Sequence, residues 1–271
     1  MKKPTELAEE LWSFQSLWQG GFYQGDPADP LFGLYGLHSY MGVSHAIYLA
    51  CLKPYIRPDV TALEIGCGRG AWTRHMLGGK TVYCIDALSA EHNCFYEHVG
   101  RHDHVHYFKV SDFSLDMIPE HSLDYVFSYD TLCHVSLDGI SEYVRNLYPR
   151  MRPGAVAFWM VADYDKYNAF VANLARTSVL NSVRGWSTSR LFGIAADIII
   201  GRMNRWSIRK YGLRTLAADQ DSFPYPGRWF DAGKDRTVNV LKQIGYQIVA
   251  EDVNLDFRSP IIQFRKPAAP G

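Results

Sequence analysis

The sequence has no long hydrophobic run, no net charge and no paired cysteines, and each absence removes a class of protein. No stretch of about eighteen apolar residues occurs, so a membrane-spanning helix is not expected. Its 28 Lys and Arg balance 28 Asp and Glu, so the overall charge points to no polyanionic partner. The five cysteines, at 51, 67, 84, 94 and 133, are odd in number and include no Cys-x-x-Cys pair. That pattern suits reduced thiols better than a disulfide framework or a zinc site. The opening residues "MKKPTELAEELW" carry acids where a secretion signal would be apolar, and a cytoplasmic protein is expected.

What is present is a globular composition, with 47% hydrophobic and 21% charged residues over 271 positions. Three textures follow one another. Residues 1–59 read as a helical cap. Leu7, Leu11, Phe14 and Trp18 recur at helical steps until Gly20-Gly21, and a turn-rich "GDPADPLFGLYG" follows. Ser39 then suits the N-cap of a second helix that carries Val43, Ile47 and Cys51 and ends before Pro54.

Residues 60–162 alternate strand and helix. "VTALEI", "TVYCID", "HVHYFKV", "LDYVFS" and "GAVAFWMV" read as strands, with helices over "GAWTRHML", after Ser89 and over "LDGISEYVRNLYPRM". Such alternation predicts crossover units and a parallel sheet covered on both faces. Residues 163–232 break the rhythm as an inserted helical lid or oligomerisation segment. Residues 233–271 return to the core with a helix, "DRTVNVLKQIG", and two strands, "YQIVAEDV" and "PIIQFRKP", whose short link suggests a hairpin-like pair.

The stretch "LEIGCGRGA" holds the functional signal. Gly66, Gly68 and Ala71 fit the G-x-G-x-x-G/A fingerprint, and Asp86 follows at about the expected distance. A nicotinamide or flavin oxidoreductase is one reading of that motif. A phosphate-binding P-loop is excluded, because no Gly-Lys-Ser/Thr follows. Glu64, just before the first glycine, would repel a pyrophosphate and attract an ammonium or sulfonium. In "VSDF", Phe113 offers a stacking face for a nucleobase and Asp112 an acceptor for its exocyclic amine.

On these motifs the chain resembles the class I S-adenosylmethionine-dependent methyltransferases, over roughly residues 60–162 and the last thirty or so. The resemblance implies a Rossmann-like, mostly parallel seven-stranded sheet with an antiparallel last strand. It implies that Glu64, Gly66, Cys67, Gly68 and Gly70 wrap the methionine part of S-adenosyl-L-methionine. Asp86, with Ala87 beside it, would hold the ribose hydroxyls, and Asp112 with Phe113 would read the adenine. The fourth strand would end at the methyl group, placing Ser128, Tyr129, Asp130 and His134 of "SYDTLCH" there. His134 is the candidate base for methyl transfer to oxygen, since imidazole titrates near neutral pH. Asp130 is the next candidate, and Tyr129 completes the group. His38 and His45 would join if the N-terminal helices fold over the pocket.

Metal dependence is an alternative, since a divalent ion can be held by clustered carboxylates and an amide, although no adjacent Asp-Asp or Asp-Asn stands near the end of the fourth or fifth strand. Asp163, Asp165 and Asn168 are spaced loosely like oxygen ligands, but read more simply as the start of a solvated loop. The remaining clue is charge in the insert. From 171 to 215 there are eight basic residues and one acid, Asp197, so this segment is +7 and the remainder −7. A lid or dimer helix with a basic face, a pocket for an anionic or glycosidic small molecule, and contact with an anionic lipid surface all remain open. No nucleic-acid-binding module is present, so no such partner is expected. The expected activity is methylation of a small molecule, most simply at a hydroxyl of a sugar or secondary metabolite, with nitrogen or carbon as alternatives.

Overall fold

The computed structural model describes residues 40–170 and 230–268, together with positions 9, 11, 27, 28, 202 and 206. The turn-rich stretch, His38, Ser39 and nearly all of the basic insert lie outside the described residues, as do Leu7, Phe14 and Trp18. Leu11 is the exception: it is helical and 5% exposed.

Helix α1, Tyr40–Ile47, runs on into a π-helical turn over Tyr48–Leu52 and stops before Pro54. The core follows as β1 Thr61–Ile65, β2 Thr81–Asp86, α2 Phe95–Val99, β3 Val105–Lys109, β4 Leu123–Ser128, α3 Leu137–Arg150 and β5 Met151–Met160. A helix over 164–170 leads into the insert. Helix α4 Lys234–Ile244, β6 Gln247–Ala250 and β7 Ile261–Arg265 complete the sheet.

All seven strands form one sheet in the order β3-β2-β1-β4-β5-β7-β6. Strands β1 to β5 pair in parallel, whereas β7 runs antiparallel to both β5 and β6. The hairpin-like pair expected at the C-terminus therefore forms, with β7 slotted between β5 and β6. Period-two alternation splits the core between the two faces. Leu63, Ile85 and Val126 pack on α3 and α4, while Ala62, Cys84 and Phe127 pack on the other side with Ile47 and Phe95. Every residue of β1 is buried, as a central parallel strand covered on both faces requires.

Two local expectations change. "GAWTRHML" forms only a 3-10 turn, Thr73–His75. Gly70, at φ +83°, is outside the helical region and cannot start the helix. After β2, Ser89 Oγ accepts from the His92 N–H at 3.2 Å, but it caps only a turn. Cys94 adopts φ +49° and delays helix α2 to Phe95. By contrast, Ser136 caps α3, accepting from the Gly139 N–H at 3.2 Å.

No described helix is long and apolar enough to cross a membrane.

Candidate active site

The strand order reverses at β1, which has β2 on one side and β4 on the other. A crevice forms beyond the carboxyl ends of strands at such a reversal. A cavity of about 280 Å³ lies there, lined by the loop after β1, the turn after β2, the segment after β4 and the β6–β7 connection.

The glycine loop contributes Gly66, Cys67 and Gly68 to this lining. Gly66 has φ +75°, and a Cβ there would fall 2.0 Å from the Thr131 side chain. Gly68 has φ +50°, a left-handed conformation that glycine adopts without cost. Gly70 serves differently. It does not line the cavity, and a Cβ on it would lie 2.1 Å from Val99 Cγ2 of α2. Its lack of a side chain lets the loop pack on that helix.

Asp86 ends β2 and lines the cavity with Ala87. Its Oδ2 accepts from the Gly68 N–H at 2.9 Å and its Oδ1 from the Leu88 N–H at 2.8 Å. Burial pushes its carboxyl above the usual range, opposed by hydrogen bonds from Leu88, Gly68 and Asn93. The two carboxylate oxygens offer about four acceptor sites in all, so Asp86 can still accept from a ribose hydroxyl while held rigidly by the loop.

Tyr129, Asp130 and His134 all line the same cavity. His134 closes a 3-10 turn, Leu132–His134, and is 8% exposed. Asp130 has φ +57°, a strained position of the kind that clusters at functional sites. The Tyr129 hydroxyl donates to Asp256 Oδ2 at 2.8 Å, so it steadies the neighbouring loop.

Five expected contacts stand elsewhere. Glu64 is 2% exposed beneath the loop, where its Oε2 accepts from Thr73 Oγ1 at 2.5 Å. Ser128 donates to the Ile65 carbonyl at 3.0 Å and ties β4 to β1. Gly70 packs on α2. Asp112 is exposed and closes its own turn, accepting from the Ser114 N–H at 2.9 Å. Phe113 is a core residue, edge-on to Tyr143 at 4.7 Å. Of the further histidines, His45 pairs with the Pro27 carbonyl at 3.0 Å and lies outside the cavity lining.

The lining also contains residues that the motifs do not announce, among them Arg69, Asn93, Thr131, Tyr143 and Arg258. Thr131 lies within "SYDTLCH" and donates to the Gly66 carbonyl at 3.2 Å. Arg258 comes from the connection between β6 and β7, which spans 251–260 and is longer than the expected link. Because β7 runs antiparallel, that connection lies at the same edge of the sheet as the glycine loop.

Among the described residues, no group of three His, Cys, Asp or Glu could hold a metal. Asp163 instead accepts from the N–H groups of Lys166 at 2.8 Å and Lys234 at 2.9 Å, joining the starts of two helices.

Residues 63–159, from β1 to the end of β5, match the family model described as a methyltransferase domain. The chain carries a methyltransferase domain over that span. Such a domain favours S-adenosyl-L-methionine over the dinucleotide that the glycine fingerprint alone allowed. No curated protein matches the chain by sequence. Among solved structures, DhpI in complex with S-adenosylhomocysteine is similar at 18% identity and a TM-score of 0.53, covering 99% of this chain and 100% of that one. The N-methyltransferase NodS from Bradyrhizobium japonicum WM9, also bound to S-adenosylhomocysteine, gives 14% identity and 0.51, over 94% and 98%. Likeness at these identities is one of fold. The site fits S-adenosyl-L-methionine: the left-handed glycines, the anchored Asp86 and the cavity occur together at the strand-order reversal.

Proposed function

We propose that this methyltransferase acts on a small molecule, transferring the methyl group to a hydroxyl of a sugar or secondary metabolite. The observation that carries this reading is that His134 and Asp130 share one cavity with the glycine loop and Asp86. When bound, S-adenosylmethionine supplies an electrophilic methyl on a sulfonium. Gly66, Cys67 and Gly68 would make room for it, and Asp86 would accept from its ribose. His134 would take the proton that the acceptor oxygen gives up as that oxygen bonds to the methyl carbon and the carbon–sulfur bond breaks, with S-adenosylhomocysteine as the leaving group. The negative charge of Asp130 stabilises the resulting imidazolium.

The cofactor half is tested by calorimetry with S-adenosylhomocysteine and, as a control, NAD(P). Asp86→Ala should weaken S-adenosylhomocysteine binding at least tenfold, about 1.4 kcal/mol, by leaving the ribose hydroxyls without an acceptor. Unchanged affinity would remove Asp86 from the site. The catalytic half is tested by labelled methyl transfer to a panel of hydroxyl and amine acceptors. With an accepted hydroxyl substrate, His134→Ala should lower kcat by about 10²–10⁴-fold while leaving S-adenosylhomocysteine affinity nearly intact. Parallel loss of affinity and activity would make His134 a cofactor contact. Turnover confined to amines, as the name of NodS records for that protein, would overturn the hydroxyl acceptor.

A further inference from the structure

The β6–β7 connection carries a charge cluster apart from the glycine loop and Asp86. Asp256 is 1% exposed. Its Oδ2 accepts from the Tyr129 hydroxyl at 2.8 Å and its Oδ1 from the Arg258 N–H at 2.7 Å. The Arg258 guanidinium lies between two carboxylates, with Nη2 3.4 Å from Asp256 Oδ2 and 3.5 Å from Asp130 Oδ1. Neither Asp256 nor Arg258 falls within the residues that the family model matches.

Arg258 faces two acids, so it is not an open receptor for an anionic acceptor. Asp256 already accepts from a hydroxyl and a backbone N–H, which satisfy much of its charge without the guanidinium. Asp130 is the carboxylate that Arg258 changes most. It sits at the cavity wall in a left-handed conformation that a non-glycine residue holds only where its surroundings over-determine it. Its N–H meets Met160 Sδ of β5 at 3.2 Å, and its Oδ1 meets Cys133 Sγ at 3.6 Å.

We propose that Arg258 is a positioning residue for Asp130, holding that carboxylate charged and in place at the cavity wall beside His134. The acceptor end of the site is then completed by the C-terminal connection and not by the matched domain alone. This rests on the reading of the β4 end as the acceptor end. The groups facing Asp130 have known signs. Burial raises its carboxyl, the charges of Arg258 and His134 lower it, and Asp256 raises it again; Cys133 and Met160 add no charge.

The test needs no acceptor. Carbon-13 carboxyl NMR of the full chain follows the Asp130 titration, with Asp130→Asn assigning the signal. Arg258→Met should move the titration up by about one pH unit or more, the usual effect of losing an adjacent cation. Arg258→Lys should restore most of that shift. Asp256→Asn, which removes one of the two described carboxylates beside Arg258, should move it down. An unmoved Asp130 signal in folded Arg258→Met, or in Asp256→Asn if the former fails to fold, would reduce Arg258 to a staple for its loop. If His134→Ala shows no kinetic effect while Asp130 still follows Arg258, the histidine base fails and this coupling stands.

Discussion

Glu64 stands at the end of β1 with Thr73 Oγ1 donating to it, and no described cation pairs with it. Burial pushes its carboxyl from the ordinary 4.5 up to about 8, a rise that the Thr73 hydrogen bond opposes and the charge of Asp86 supports. A carboxyl raised by folding favours the folded state in its protonated form. Its contribution is full below about pH 4.5 and is lost as pH rises through about 8. Glu64→Gln keeps an acceptor for Thr73 and stays neutral throughout. Its melting temperature should therefore rise relative to wild type as the pH goes from about 5 to about 8.5. Parallel melting curves across that range would mean that Glu64 is ionised in the fold. The motif position of Glu64 is legible in the sequence, but the side of the loop on which its charge lies is not. Strand alternation puts it on the face of Ala62, under Thr73, and away from the cavity.

Among the elements, the loop between β1 and the Thr73–His75 turn divides its glycines between two tasks. Gly66 and Gly68 line the cavity, whereas Gly70 lets the loop sit against α2. Gly70→Ala would place a methyl 2.1 Å from Val99 Cγ2 at a φ of +83°. The expected loss is about 1–3 kcal/mol in urea unfolding, the scale of an overpacked core. Val99→Ala in the same chain should recover part of it, because the clashing atoms are a side chain; the backbone strain remains. Double-mutant additivity would place the strain elsewhere. The G-x-G-x-G spacing announces a close approach at this loop. Which glycine meets a ligand and which meets a helix depends on α2, and Cys94 in a left-handed conformation sets where α2 begins.

At the scale of the molecule, the C-terminal segment closes what the matched domain leaves open. β7 covers the edge of β5 from Val156 to Met160. Trp159, fully buried, meets Phe264 edge-on at 5.2 Å, and Phe264 in turn packs on Tyr246. Lys166 anchors the β6–β7 connection through Asp252 at 2.5 Å, and the Phe170 and Phe257 rings meet at 4.1 Å. A chain ended before Lys234 would expose an apolar strand edge, a template for aggregation. Such a truncation should show no cooperative urea transition and should aggregate. A soluble, cooperatively folding fragment would show that β1 to β5 hold together without α4, β6 and β7.

The sequence by itself determined the strand–helix alternation, the glycine loop, the acid at the end of β2 and the antiparallel closing pair. Each is written locally: short apolar runs for strands, helical texture between them, and the G-x-G-x-x-G/A spacing with an acid at the expected distance. Only the tertiary structure decided which of those residues share a cavity. It excluded Asp112, Phe113 and Ser128 from the lining, because an exposed turn, the core beside Tyr143 and a tie to Ile65 claim them. It also brought in Arg258, more than a hundred residues from Asp130. The physical reason is the antiparallel β7, whose direction turns the β6–β7 connection back to the sheet edge where β1, β2 and β4 end. No local pattern in "VNLDFRSP" carries that information.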